Sequence, residues 1–136
     1  MPKLTRQQNP YFIYAGIDHD LIADLKQQLA TSDTSIDLVT CDNGLQLIKK
    51  IEEVKVNEAY PELLILTRHM KRLDGKETLQ LLRSDDIYKL IPVIIFLDND
   101  DQADSSYFMN LGADVVEVYW KDYVEKMTST LCNWLS

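Results

Sequence analysis

Leu63-Leu64-Ile65-Leu66-Thr67-Arg68-His69-Met70-Lys71-Arg72-Leu73-Asp74-Gly75 runs from an unbroken apolar stretch into a basic loop and leaves it through Asp-Gly. The apolar part, with Glu62 before it, predicts a strand over residues 62–66. A strand with one wet face would alternate apolar and polar; this one does not, so it is predicted to be covered on both sides, as in a parallel sheet. Gly75 then opens a helix to Ser84, with Leu79 and Leu82 turned inward.

The same alternation extends in both directions. Residues 1–9 are polar and read as a flexible leader. Tyr11 to Ile17 predicts the first strand. Leu21, Ile22, Leu25 and Leu29 recur at helical spacing behind it. Ile36 to Thr40 predicts the second strand, and Asn43-Gly44 opens a helix carrying Leu45, Ile48, Ile51 and Val54 on one face. Pro92 leads into a fourth strand, Val93 to Leu97, since proline is tolerated at a strand's first residue. A helix from about Asp101 to Leu111, a strand from Val115 to Tyr119 and a helix with Val124, Met127, Leu131 and Trp134 inward complete the chain. These five β-α units predict an α/β fold: a doubly wound, five-stranded parallel sheet of flavodoxin-like order 2-1-3-4-5. Its functional crevice would lie at the carboxyl ends of strands one and three. Residues 1–136 read as one domain, with no effector domain expected.

Composition narrows the function. The 136 residues, 46% hydrophobic and 26% charged, suffice for a core without staples. A net charge of −8, from 14 basic and 22 acidic residues, argues against nucleic acid as partner, which needs a basic footprint. Cys41 and Cys132 have no zinc or redox spacing and predict reduced thiols in a cytoplasmic protein. The amino terminus is polar and the apolar runs are too short for a membrane span, so neither a signal peptide nor a membrane is expected.

The segment 63–75 resembles the third strand and following loop of a response-regulator receiver domain of the CheY-like superfamily, where an apolar strand leads to Asp-x-x-Met-Pro-x-x-Asp-Gly. Met70, Asp74 and Gly75 match that pattern. Asp42-Asn43-Gly44-Leu45-Gln46-Leu47 is similar to the family's opening of helix two, and Leu90-Ile91-Pro92-Val93-Ile94 to its entry into strand four. Leu111-Gly112-Ala113-Asp114 is similar to its turn before strand five, and the ending with Trp134 to small stand-alone regulators that pair with phytochrome-type kinases. The resemblance covers residues 11–135 and implies a place in two-component phosphorelay signal transduction.

It also implies a site. Receiver chemistry uses an aspartate nucleophile at the end of strand three, because an acyl phosphate forms and hydrolyses readily. Two acids after strand one hold Mg²⁺ with it through oxygen ligands. A Ser/Thr after strand four and a Lys after strand five contact the phosphoryl oxygens. Here the resemblance places the nucleophile at Thr67 and the acid pair at Ile17 and Asp18. It places the hydroxyl at Leu97, the lysine at Tyr119 with Trp120 after it, and the aromatic switch at Val116. Only Asp18 keeps its chemistry. A slip of one residue would restore an acid through Asp20 or bring in Asp98, but not at Thr67, whose register Asp74-Gly75 fixes. The expectation is a degenerate pseudo-receiver: no enzyme, no catalytic residue, no Mg²⁺ or other cofactor, and no phosphorylation dependence. Carboxylates about 5 Å apart repel by about 3 kcal/mol at an effective dielectric near 20, and burying an apolar side chain instead contributes about 1.5–3 kcal/mol. Ile17, Thr67 and Leu97 are therefore expected to close the cavity as packed core.

Other features bear on partners. Arg68, His69, Lys71, Arg72 and Lys76 reverse the sign of an acidic chain; they read as a solvated loop paired with nearby acids, or as a contact for an anion or acidic partner. Asp98 to Asp104 lacks the glycine and terminal glutamate of a calcium loop and reads as helix capping through Asp101 and Asp104. Asp18-His19-Asp20 reads as a turn capped by Asp20. There is no Gly-x-Ser-x-Gly elbow for a hydrolase. Tyr107, Val118, Trp120 and Tyr123 fall on the helix 4–strand 5–helix 5 side, an expected partner or homodimer surface. The expected partner is another protein, such as a sensor histidine kinase. Two alternatives stand beside this: a receiver phosphorylated at a displaced acid, Asp18 or Asp20, and a small-anion sensor or structural dimer.

Overall fold

The computed structural model describes residues 10–32, 36–98, 103–118 and 123–134. Within them run β1 (Tyr11–Ala15), α1 (His19–Ala30), β2 (Asp37–Cys41), α2 (Gly44–Lys55), β3 (Leu63–Thr67) and α3 (Gly75–Ser84). A 3-10 turn (Tyr88–Leu90), β4 (Val93–Leu97), α4 (Ser105–Leu111), β5 (Val115–Val118) and α5 (Tyr123–Trp134) follow. All pairings are parallel, in the order β2-β1-β3-β4-β5. This is the doubly wound sheet expected from the sequence.

Period-two alternation divides the strands between two cores. Leu63 and Ile65 of β3, with Phe12, Tyr14, Ile94 and Phe96, pack under α1 and α5 through Leu21, Leu25, Met127 and Leu131. Leu64 and Leu66, with Ile13, Ala15, Ile95 and Leu97, pack under α2, α3 and α4 through Leu47, Ile51, Leu79, Leu82 and Phe108. Full coverage explains why β3 and β4 are apolar without interruption: nine of their ten residues are buried, and the exception is Thr67 at the open end.

Several boundaries differ from the sequence-based expectation. β1 ends at Ala15 rather than Ile17, because the Gly16 N–H still pairs with the Cys41 carbonyl (3.0 Å) but Asp18 already caps α1. Asp18, not Asp20, is that cap, its Oδ1 accepting the Leu21 N–H at 3.0 Å. α2 buries Gly44, Leu47 and Ile51, so its inward stripe runs through Leu47 rather than Leu45. α4 starts at Ser105 rather than Asp101; Asp101 lies outside the described residues, and Asp104 makes no side-chain cap. On α5, Met127 and Leu131 are buried while Val124 and Trp134 pack at the margin.

Candidate functional site

The strand order reverses between β1 and β3, which leaves a crevice at their carboxyl ends. Thr67 ends β3 there, level with Phe96 of β4. Its hydroxyl donates to the Ala15 carbonyl at 3.0 Å, tying the end of β3 to the end of β1. Gly16 packs directly on this threonine. A Cβ at residue 16 would lie 2.8 Å from Tyr14 Cε1 and 3.1 Å from Thr67 Oγ1. The residue against Thr67 is thus Gly16, followed by Ile17. Asp18 comes third and caps α1. Gly16 was not singled out in the sequence. The nearest signal was a glycine at a strand end two residues after a bulky tyrosine.

The crevice is open, which corrects the expectation of a packed core. A cavity of about 130 Å³ remains, with Tyr14, Leu21 and Phe96 as apolar lining and Ile17, Asp18, Thr67, Arg68, His69 and Asp98 as the rest. Ile17 does not plug it, being 55% exposed. Leu97 is fully buried but belongs to the layer under α2, α3 and α4. Strand alternation sends Phe96, not Leu97, toward the Thr67 side. Tyr119 and Trp120 lie outside the described residues. Asp20, exposed in the first turn of α1, does not line the cavity, whereas Asp98 does.

The basic loop splits into a docked half and an exposed half. Arg68 forms an ion pair with Asp104 and its guanidinium lies 5.5 Å from the Phe108 ring centroid. Asp104 therefore serves as an anchor for the loop. Lys71 and Arg72 are exposed, and among the described residues neither is ion-paired. Between them the backbone is strained. Arg72 has φ 69°, and the Leu73 N–H donates to the Lys71 carbonyl at 2.9 Å, which closes a three-residue turn of the rare positive-φ kind. Both flanks hold it in place. The Leu73 carbonyl accepts the Gly44 N–H (2.9 Å) and the Arg68 carbonyl accepts the Gly75 N–H (3.0 Å). Asp74 and Glu77 form a capping box at the start of α3. Replacing Arg72 with glycine, which accepts positive φ, is expected to stabilise the fold by about 1 kcal/mol in urea denaturation. A loss of stability of similar size would show that the turn is not strained.

The expected partner side is only partly described. Tyr107 is 42% exposed and sits edge-on to Phe108, with Lys76 Nζ 5.7 Å from its ring centroid. Val116 and Val118 pack against the core under α4. Trp120 and the side chain of Tyr123 lie outside the described residues. Cys41 is buried, and burial pushes its thiol up to about 12, with Lys50 opposing and Asp42 adding, so it stays a neutral thiol at neutral pH. No described helix is long and apolar enough to cross a membrane. Among the described residues, no three His, Cys, Asp or Glu side chains gather as a metal site.

An open sheet in the order β2-β1-β3-β4-β5, with its crevice at Thr67, defines the class of fold: it is the fold of response-regulator receiver domains. It is similar to protein PilG of Pseudomonas aeruginosa, 26% identical over 99 residues that make up 73% of each chain. Among solved structures it is similar to response regulator RPA3017 in red light signaling of R. palustris, with 25% identity, a TM-score of 0.78, and 93% of this chain and 94% of that one covered. The phosphorylated cyanobacterial phytochrome response regulator RcpA shares the fold at a TM-score of 0.83, with 20% identity over 94% of this chain and 95% of its own. No protein-family model matches the chain.

Proposed function

We propose that this receiver signals by binding another protein, with neither an aspartyl phosphate nor Mg²⁺ in its cycle. One observation carries the proposal: at the end of β3, where a receiver needs a carboxylate, Thr67 uses its hydroxyl to donate to the Ala15 carbonyl. A phosphothreonine would be an ester rather than a mixed anhydride, so it would not turn over as an acyl phosphate does. The donor set also suits Mg²⁺ poorly. Gly16 and Ile17 follow β1 without a carboxylate, and Asp18 is committed to the Leu21 N–H. Magnesium keeps near-octahedral oxygen coordination and gives up water reluctantly. The partner is a protein of the signalling apparatus, for which a sensor histidine kinase is the natural first test. The fold shared with a phytochrome response regulator, and the similarity to a response regulator in red light signaling, support trying a kinase of that kind.

Acetyl phosphate with Mg²⁺, followed by intact mass measurement, is expected to leave the chain unmodified. Beryllofluoride with Mg²⁺ is expected to give no saturable NMR shift at Thr67 or Gly16. A hydroxylamine-labile phosphate would overturn the proposal in favour of a displaced acceptor. Asp98 and Asp18 would then come before Asp20, because both line the cavity. Saturable shifts with inorganic phosphate alone would favour the small-anion reading instead.

A further inference from the structure

We propose that the groove between the β1–α1 turn and the β3–α3 loop docks an acidic segment of a partner protein. One apolar side chain of that segment would seat on Ile17 and Met70, with carboxylates against Lys71 and Arg72. The proposal rests on the protein-binding reading above and gives it a surface. The groove, about 280 Å³, is lined by Ile17, His69, Met70, Lys71 and Asp74. A single exposed apolar residue is ordinary on a protein surface. Ile17 differs in its neighbours: at 55% exposure it shares the groove with Met70, an unbranched and adaptable side chain, and with Lys71, next to which Arg72 is exposed just outside the lining.

Charge decides the occupant. The chain as a whole carries −8, so an acidic segment is repelled from most of its surface. The sign reverses locally at Lys71 and Arg72, which are exposed and, among the described residues, have no ion-pair partner. With a screening length of about 8 Å at physiological salt, that local reversal is what an approaching segment would feel. Asp74 also lines the groove and keeps its charge, but one of its oxygens, Oδ1, is held by the Glu77 N–H at 2.9 Å, and it is one carboxylate beside the two exposed cations. The backbone adds an independent observation. Arg72 holds φ 69° in a turn that glycine would occupy without strain, so the turn carries an exposed cationic side chain where its backbone alone calls for none. Nucleic acid would bring its negative backbone against the same net charge over a far larger footprint than two cations can serve.

The test is a titration of the isotope-labelled full chain with a short synthetic peptide bearing a central leucine flanked by aspartate and glutamate. Saturable shifts are expected at the amides of Ile17, Met70, Lys71 and Arg72, weakening with added salt. A lysine-flanked version should give none. Loss of the shifts is expected in the Lys71→Glu/Arg72→Glu double variant, and weakening in Ile17→Asn and Arg72→Gly, all with unchanged circular dichroism. No saturable shift at millimolar peptide, equal response to the lysine-flanked peptide, or full binding by the double variant would overturn the proposal. So would concentration-dependent shifts at these amides without peptide, which would assign the groove to a second copy of the chain. Failure here with no modification by acetyl phosphate removes only this surface. Modification by acetyl phosphate removes the phosphorylation-independent reading, whatever the groove does.

Discussion

Gly75→Ala is expected to cost about 3 kcal/mol and to lower the melting temperature by about 10 °C. On helix propensity alone the change should help, since alanine is favoured over glycine inside a helix by about 1 kcal/mol. Packing reverses the sign. A Cβ at residue 75 would lie 2.4 Å from the Thr67 carbonyl oxygen, 3.1 Å from the Thr67 carbonyl carbon and 3.1 Å from Arg68 Cα. All three are backbone atoms at the end of β3, so no side chain can rotate aside. The start of α3 would have to withdraw, stretching the hydrogen bond from the Gly75 N–H to the Arg68 carbonyl. The same movement would pull on the loop that carries Lys71 and Arg72. Differential scanning calorimetry checks the magnitude. A variant as stable as the parent, or more so, would mean that α3 is not pressed against the end of β3.

At the opposite end of the sheet, Arg83→Ala is expected to cost about 3 kcal/mol, measured as a drop in urea midpoint at constant slope. Arg83 leaves α3 and donates to four acceptors. Nε reaches the Gly112 carbonyl (2.8 Å) and Nη1 the Ile91 (3.2 Å) and Lys89 (3.3 Å) carbonyls. Nη2 reaches Asp114 Oδ2 at 2.9 Å, and that same oxygen accepts the Val93 N–H at 2.8 Å. One side chain thus joins α3, the 3-10 turn, the entry to β4 and the turn before β5. Its side chain is only 19% exposed, and that burial lowers its pKa while Asp114 partly restores it; a guanidinium nonetheless remains charged. Truncation would leave three carbonyls short of a donor and Asp114 short of its counter-charge. Arg83→Lys should recover only part of the loss, because an ammonium cannot span the fork. Equal stability of the lysine variant would show that charge alone, not the fork, matters.

Much of this architecture could be read from residue order. The unbroken apolar runs of β3 and β4, set in a series of strands alternating with helical stripes, specify a parallel sheet because continuous burial excludes a wet face, and Asp74-Gly75 fixed the end of β3 at Thr67. The α3 stripe was legible because local sequence sets local geometry, whereas the Gly112 turn was expected only through its likeness to the receiver pattern. The site was less legible. Asp18 rather than Asp20 caps α1, although both offer the same capping chemistry, and the choice depends on where β1 stops pairing with β2. Arg72 in a strained turn has no signal in sequence, since nothing about arginine announces positive φ.

By itself the sequence determined that a hydroxyl residue, Thr67, closes the apolar run of β3 ahead of Asp74-Gly75, because that rests on residue order along one strand. Only the tertiary structure decided what surrounds it. Gly16 lies against Thr67, Phe96 rather than Leu97 lines the cavity, Ile17 stays half-exposed at its rim, and Arg68 is held there by Asp104. Each of these depends on how separate strands align and on which face of the sheet a side chain leaves from. Distances across the sheet join residues far apart in the chain, and no local pattern of residues encodes them.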